Sequence, residues 1–269
     1  MRKGTRRSAK TPVYHLALSR AAIGEAALVL MPGDPKRSVK IAEAAAARLG
    51  GRAALLADNR EYRTYLVESA QGKLLVTSTG IGGPSTSIAV DELAQLGVRT
   101  FIRVGTAGAI SRELRIGDVV VTTGSVRLDG ASTHYAPIEY PAVADHEVVT
   151  ALIEGAEDAG ARAHRGITAS SDTFYPGEER TDSFTGYVLR RFQGATEELR
   201  RLRVLNYEME SATVLTLTAA MGLRGGCVTG VINRAGGAAI SKAALRRGET
   251  SAVATAVNAA ARLLGGCRT

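Results

Sequence analysis

Two rhythms alternate along this chain: short continuous apolar runs, and longer stretches with apolar residues three or four apart. The run Ala27 to Gly33 ends in Pro32-Gly33, and the segment behind it places Val39, Ala42, Ala46 and Leu49 at helical spacing. That succession predicts strand, turn, helix. Lys73 to Gly80 repeats it, with a helix from Pro84 that carries Ala89, Leu93 and Leu96 on one face. Thr100 to Gly105 and Gly117 to Val126 predict strands, Val148, Leu152 and Ala156 a helix, and His164 to Ser170 another strand. A short segment, Val204 to Tyr207, precedes a helix from Ser211 to Ala220. Leu223 to Ile232 reads as a buried strand, and Val253, Val257, Ala260 and Leu264 stripe a closing helix. Strands alternating with helices predict an α/β domain, its mostly parallel sheet covered on both faces. Thr181 to Arg203 is polar and is expected to be a mobile flap.

At 269 residues and 45% apolar composition the chain can bury one large core, so a single domain is expected. Its two cysteines, Cys227 and Cys267, offer neither a disulfide framework nor a cysteine-rich metal site, which fits a reducing cytoplasm. No apolar stretch approaches the roughly 20 residues of a membrane helix, and the start lacks an export signal. The net charge of +8 owes five charges to Arg2, Lys3, Arg6, Arg7 and Lys10. Residues 1–12 are therefore expected to be a disordered basic leader, with residues 13–269 the domain. Without aromatic interleaving or zinc spacing, neither a nucleic acid nor a membrane is expected as a partner.

In such sheets ligands bind where strands end, because turns expose backbone N–H groups and helix N-termini favour anions. Pro32-Gly33-Asp34-Pro35-Lys36-Arg37 offers close backbone approach at Gly33 and a guanidinium one turn on, which suits phosphate or an ordinary tight turn equally. Thr79-Gly80-Ile81-Gly82-Gly83-Pro84-Ser85 is glycine-rich but lacks the Lys-Ser/Thr ending of a triphosphate loop. Arg103 lies inside an apolar run, where an unpaired charge would cost several kcal/mol. It needs an anion, either a ligand shared with the Thr106 hydroxyl or a neighbouring carboxylate. In Glu208-Met209-Glu210, alternation can aim both carboxylates to one side, towards vicinal hydroxyls, while Glu210 also suits the start of the following helix. Ser170 to Arg180 combines Phe174 and Tyr175 with a rigid turn and mixed charges, as a reader of planar heterocycles would, or a surface loop with a packed aromatic. The four histidines, His15, His134, His146 and His164, show no metal spacing.

Together these segments resemble the nucleoside phosphorylases, and from about Val13 onward they are similar to the bacterial uridine-cleaving, hexameric subfamily. Ser78 to Ile110, Ser125 to Asp145, Thr168 to Gly177 and Asn206 to Thr213 carry the likeness. The resemblance implies the family's fold, a mixed central sheet flanked by helices on both faces, and a pentosyltransferase that uses inorganic phosphate and requires no cofactor. It implies that Gly33, Arg37, Arg103 and Thr106 hold phosphate, joined by Arg60 from a neighbouring subunit. Met209 and Glu210 would contact ribose, and His15 would reach the 5′-hydroxyl across the same interface. Phe174, Glu178, Arg180, Glu208 and Arg234 would surround the base, with Arg103, Thr106, Glu210 and Arg180 carrying the catalysis. A homo-hexamer built from three dimers is implied, with potassium at the interface near Glu61, Ile81 and Ser85.

Two positions depart from that pattern. Glu178 stands where the subfamily has Gln, and a carboxylate cannot donate to the base. Either Glu178 is protonated, or Arg180 or Arg234 neutralises it, or the preferred substrate is not plain uridine. Val231-Ile232-Asn233-Arg234 is one residue shorter than the family's run, which bears on where Arg234 lies. A purine nucleoside phosphorylase, a hydrolytic nucleosidase, a phosphorylase of 5′-modified uridine and a catalytically weak nucleoside-binding protein are the alternatives.

Overall fold

In the computed structural model, which describes residues 8–236 and 239–266, the first apolar run becomes β1 (Leu28–Met31) and the stripe behind it α2 (Pro35–Leu49). A short α1 (Arg20–Ile23) precedes them. Asp34 caps α2 by accepting from the Lys36 amide, Pro35 fills its first turn, and left-handed Gly50 ends it. A hairpin of β2 (Arg52–Asn59) and β3 (Tyr62–Ser69) then leads through β4 (Gly72–Thr77) to α3 (Gly83–Leu96) and β5 (Thr100–Ala109). There follow β6 (Val119–Leu128), β7 (Ala142–Val143), α4 (His146–Asp158), β8 (Ala163–Ser171), α5 (Ala195–Arg201) and β9 (Asn206–Glu208). The chain finishes with α6 (Ser211–Ala220), β10 (Arg224–Arg234) and α7 (Lys242–Gly265).

All these strands join one mixed sheet. β1 is parallel to β4 and β5, β5 to β10, β6 to β8 and β8 to β9, whereas β2–β3, β3–β4, β5–β9, β6–β7 and β6–β10 run antiparallel. Because β10 pairs with both β5 and β6, strands β5, β9, β8, β6 and β10 close into a ring, from which β1, β4, β3 and β2 extend as an open sheet. Four strands of the ring share a buried polar chain, Thr122 to Thr168 to Asn206 to Thr229, in which each side chain finds a partner.

Alternation along β1 divides the core. Leu28 and Leu30 pack with Ile41 of α2, Leu152 of α4 and Val257 of α7, while Val29 and Met31 face Leu93 of α3 and Leu217 of α6. Helix α7 lies against β10 backbone to backbone: a Cβ on Gly230 would sit 1.9 Å from the Gly248 carbonyl oxygen. Only glycine fits there.

The stretch expected to be a flap carries a 3-10 turn, Arg190–Phe192, and α5, where the amides of Gly194, just before the helix, and of Thr196 in its first turn donate to Glu179. Arg2, Lys3, Arg6, Arg7 and Cys267 lie outside the described residues. Of the expected leader, Ser8 to Thr11 forms a turn, and the Ala9 carbonyl accepts from Ala21. Among the described residues, no helix is long and apolar enough to cross a membrane.

Candidate active site

A cavity of about 220 Å³ opens where several strands end. Gly33 reaches it from the β1–α2 turn, Arg37 from the first turn of α2, Ile81 from the turn before α3, and Arg103 and Thr106 from β5. Phe174 and Glu178 come from the loop after β8, Glu208, Met209 and Glu210 from the β9–α6 junction, and Ile232 and Asn233 from β10. The first two turns are bonded to each other: Gly80 N donates to the Gly33 carbonyl, Thr79 N to that of Pro32, and a Cβ on Gly33 would meet Gly80 O at 3.0 Å.

Arg103 has its anion within the chain. Its Nε donates to Glu208 Oε2 at 2.6 Å and its Nη2 pairs with Glu210, so the structural ion pair and the cavity wall are one arrangement. Burial works against the guanidinium's charge, and Glu210 and then Glu208 outweigh it, holding Arg103 protonated. The two acids differ. Glu208 caps α6, accepting from the Glu210 and Ser211 amides and the Ser211 hydroxyl, and Arg103 with these donors offsets burial to hold its carboxyl below the usual range. Glu210, the residue before α6, accepts from Gly82 N at 2.5 Å, and burial together with Glu208 pushes its carboxyl up. Both Glu208 oxygens are therefore engaged in holding Arg103 and starting α6 rather than turned to a base.

Arg37 is fixed by a residue the sequence did not single out. Glu249 of α7 accepts from its Nε at 3.0 Å and Nη2 at 2.7 Å. The two are 212 positions apart, and no local pattern couples them. The Thr106 hydroxyl lines the cavity without a protein partner among the described residues. Tyr207, Ile232 and Ile240 supply further walls that short-range motifs did not mark.

Around Phe174, the Arg180 guanidinium sits 4.4 Å from the ring centroid and is held by Asp182 at 2.9 and 2.5 Å, leaving Nη1 buried without a partner. Glu178 is 5% exposed. Burial pushes its carboxyl up to about 8, Glu208 and Glu210 acting in the same sense and Arg180 against them. Arg234 does not join the cavity. The register of β10 on β5 shifts between Val231 and Asn233, and the bulge turns Asn233 inward while Arg234 donates to the carbonyls of Ser111, Arg112 and Leu114.

His15 and Arg60 lie outside this cavity, close to each other. The His15 ring bonds Glu92 at 2.8 Å, its backbone amide donates to the same carboxylate, and Asn59 Nδ2 donates to its carbonyl at 2.8 Å. Next to Asn59, Arg60 turns the β2–β3 hairpin at φ +56°, a left-handed conformation rare for a residue with a Cβ. Glu61, Ile81 and Ser85 lie nearby: a Cβ on Gly80 would touch Glu61 Cγ at 3.0 Å and Ser85 Oγ at 3.2 Å, and the Ser85 hydroxyl is 3.4 Å from the Ile81 carbonyl. Ile81 is 77% exposed at the rim.

Residues 27–267 match the model of the phosphorylase superfamily. The chain is similar to the uridine phosphorylase of Escherichia coli strain K12, 53% identical over 256 residues that cover 95% of this chain and 99% of that protein. It is 48% identical to the uridine phosphorylase of Haemophilus influenzae, over 94% of this chain and 98% of the other. To the guanosine phosphorylase of Halorubrum lacusprofundi it is 37% identical, over 82% of each.

Proposed function

The chain belongs to the phosphorylase superfamily, and we propose that it is a pentosyltransferase that splits uridine with inorganic phosphate into uracil and α-ribose 1-phosphate. The observation that carries this reading is the buried Arg103 held between Glu208 and Glu210 on the wall of a cavity that also takes in Thr106, Met209 and Phe174.

Each group has a part it can perform. Arg103, Arg37, the Gly33 backbone and the Thr106 hydroxyl hold phosphate below C1′, and Glu210 accepts from the ribose hydroxyls beside Met209. Phe174 packs on the base, and the Arg180 guanidinium, 4.4 Å from the Phe174 ring centroid and with Nη1 unpartnered, has a donor to offer it. As the C1′–N bond breaks, its electron pair stays on the base, and a phosphate oxygen bonds C1′ from the opposite face with inversion. Catalysis rests on positioning and on fixed charges aimed where charge develops.

Charge balance supports pockets completed by a second subunit. Arg37, Arg103 and Arg180 are each already paired with acids of their own chain. An arriving phosphate therefore needs a further cation, and Arg60 of the neighbouring subunit supplies it, with that subunit's His15 at the 5′-hydroxyl. Dimers would then assemble into a hexamer. Glu61, the Ile81 carbonyl and Ser85 offer the oxygen donors that potassium takes, and an ion there would tie two subunits. No cofactor is required, and the cytoplasm suits a phosphate-dependent salvage enzyme.

Base release from uridine, thymidine, cytidine and inosine, with and without phosphate, tests the proposal. Uracil release that requires phosphate is expected. Phosphate-independent release would make the protein a hydrolase, and preferred release of hypoxanthine would make it a purine enzyme.

A further inference from the structure

Four acids line the cavity: Asp34, Glu178, Glu208 and Glu210. Asp34 accepts from the Lys36 amide, Glu208 and Glu210 share Arg103, and Glu178 alone has no hydrogen-bond partner among the described residues. Both cations that could neutralise it are occupied. Arg180, on its own loop, is turned to Asp182, and its remaining Nη1 has no partner, so no guanidinium proton rests on Glu178. Arg234 donates to backbone carbonyls outside the cavity. From β9 and the start of α6, Glu208 and Glu210 face Glu178 with like charge, and Tyr207 beside them brings only a phenol. Arg103, from β5, is already divided between two acids.

We infer that Glu178 is held as a neutral carboxylic acid and reads the base as one, its O–H donating to a ring carbonyl while its C=O accepts from the adjoining ring N–H. Burial that pushes its carboxyl up to about 8 agrees with this. What the acid touches rests on the nucleoside reading above; its protonation state does not. A neutral carboxyl offers one donor beside one acceptor, the complement of an imide edge such as that of uracil or thymine. At the edge formed by N3 and the C2 carbonyl, cytosine presents two acceptors and would leave the acceptor of Glu178 unmatched. Ionised, Glu178 has nothing to donate and opposes the negative charge that grows on the departing base.

Infrared difference spectra of wild type against Glu178→Gln, titrated from about pH 6 to about pH 10, read the carboxyl directly. A protonated-acid carbonyl band at neutral pH that disappears with a midpoint near 8 is expected; absence of that band at neutral pH overturns the inference, whether or not uridine turns over. In parallel, kcat/KM for uridine and cytidine is followed over the same range in both proteins. Substrate ionisation is common to the two and cancels in their ratio. The ratio of Glu178→Gln to wild type on uridine should be independent of pH below the midpoint and climb about tenfold per pH unit above it. A ratio that does not change with pH overturns the role in reading the base.

Discussion

Replacing Gly230 by alanine should weaken phosphate use from a position that never touches phosphate. The new Cβ would lie 1.9 Å from the Gly248 carbonyl oxygen, and Cβ contacts essentially never fall below 3.0 Å. Backbone cannot yield as a side-chain tip can, so α7 must retreat by about 1.1 Å, the difference between those distances. Glu249 follows Gly248 directly and holds Arg37 at 2.7 Å; the same retreat stretches that bond to about 3.8 Å, beyond hydrogen-bonding range. Overpacking of this kind costs about 1–3 kcal/mol, or a Tm lower by roughly 3–10 °C in a chain of this size. Loosening Arg37 forfeits part of a charge-assisted bond, and a loss of about 1.4 kcal/mol corresponds to a tenfold rise in the KM for phosphate. Initial rates at varied phosphate, beside a thermal scan, measure both. The KM for nucleoside should move by less than about two-fold, because Phe174 and Glu210 do not ride on α7. Glu249→Ala should reproduce the phosphate effect with little change in Tm. If Gly230→Ala lowers Tm but leaves the phosphate KM where it was, Arg37 is not positioned by α7 and the reasoning fails.

Other consequences can be measured on the same preparation. Glu178 has a folded-state pKa raised from 4.5 to about 8, so its contribution to stability is complete below about 4.5 and is lost as pH rises through 8. That gap, at about 1.4 kcal/mol per pH unit, amounts to roughly 5 kcal/mol. Glu178→Gln should therefore match wild type in Tm near pH 5 and exceed it by on the order of 10 °C near pH 9, and a gap constant across pH would count against a buried acid. Arg103→Met leaves two buried carboxylates facing each other, which should cost about 3–5 kcal/mol in denaturant titrations at neutral pH; activity retained within tenfold would remove Arg103 from the phosphate site. Asp182→Asn releases the Arg180 guanidinium from its ion pair. It should raise the nucleoside KM by a few-fold with phosphate KM unchanged, and equal shifts in both would show a general loosening of the loop instead.

Much of this architecture could be read along the chain because burial on both faces leaves unbroken apolar runs, as in Leu28 to Met31 and Leu223 to Ile232. The β2–β3 hairpin escaped for the opposite reason. Most of β2 is exposed, from Arg52 to Leu55 without interruption, so no buried face imprints a period of two. Closure of the ring by β10 on β5 depends on pairings far apart in sequence, and the bulge beyond Val231 reverses which of Asn233 and Arg234 looks inward. At the site, residue type alone required a partner for Arg103 but could not choose between ligand and carboxylate. Glu208 and Glu210 provide that partner while Arg103 remains on the cavity wall. Glu249 could not be anticipated, since its pairing with Arg37 exists only once α7 packs across α2.

The bond from Asn59 to the His15 carbonyl gathers two of the proposed substrate-holding residues, His15 and the neighbouring Arg60, outside the chain's own cavity. If that surface serves a neighbour, damage to it and damage to the cavity are separable defects. A chain lacking Arg60 keeps a sound cavity, and a chain lacking Glu210 keeps a sound Arg60. Two inactive proteins, dissociated together and allowed to reassociate in equal amounts, would then regain activity: half the pairs are hybrids with one intact site each, about a quarter of the wild-type complement. Beside a wild-type partner, a chain lacking Arg60 would disable the partner's site and keep its own, whereas a chain lacking Glu210 would lose its own and leave the partner's intact.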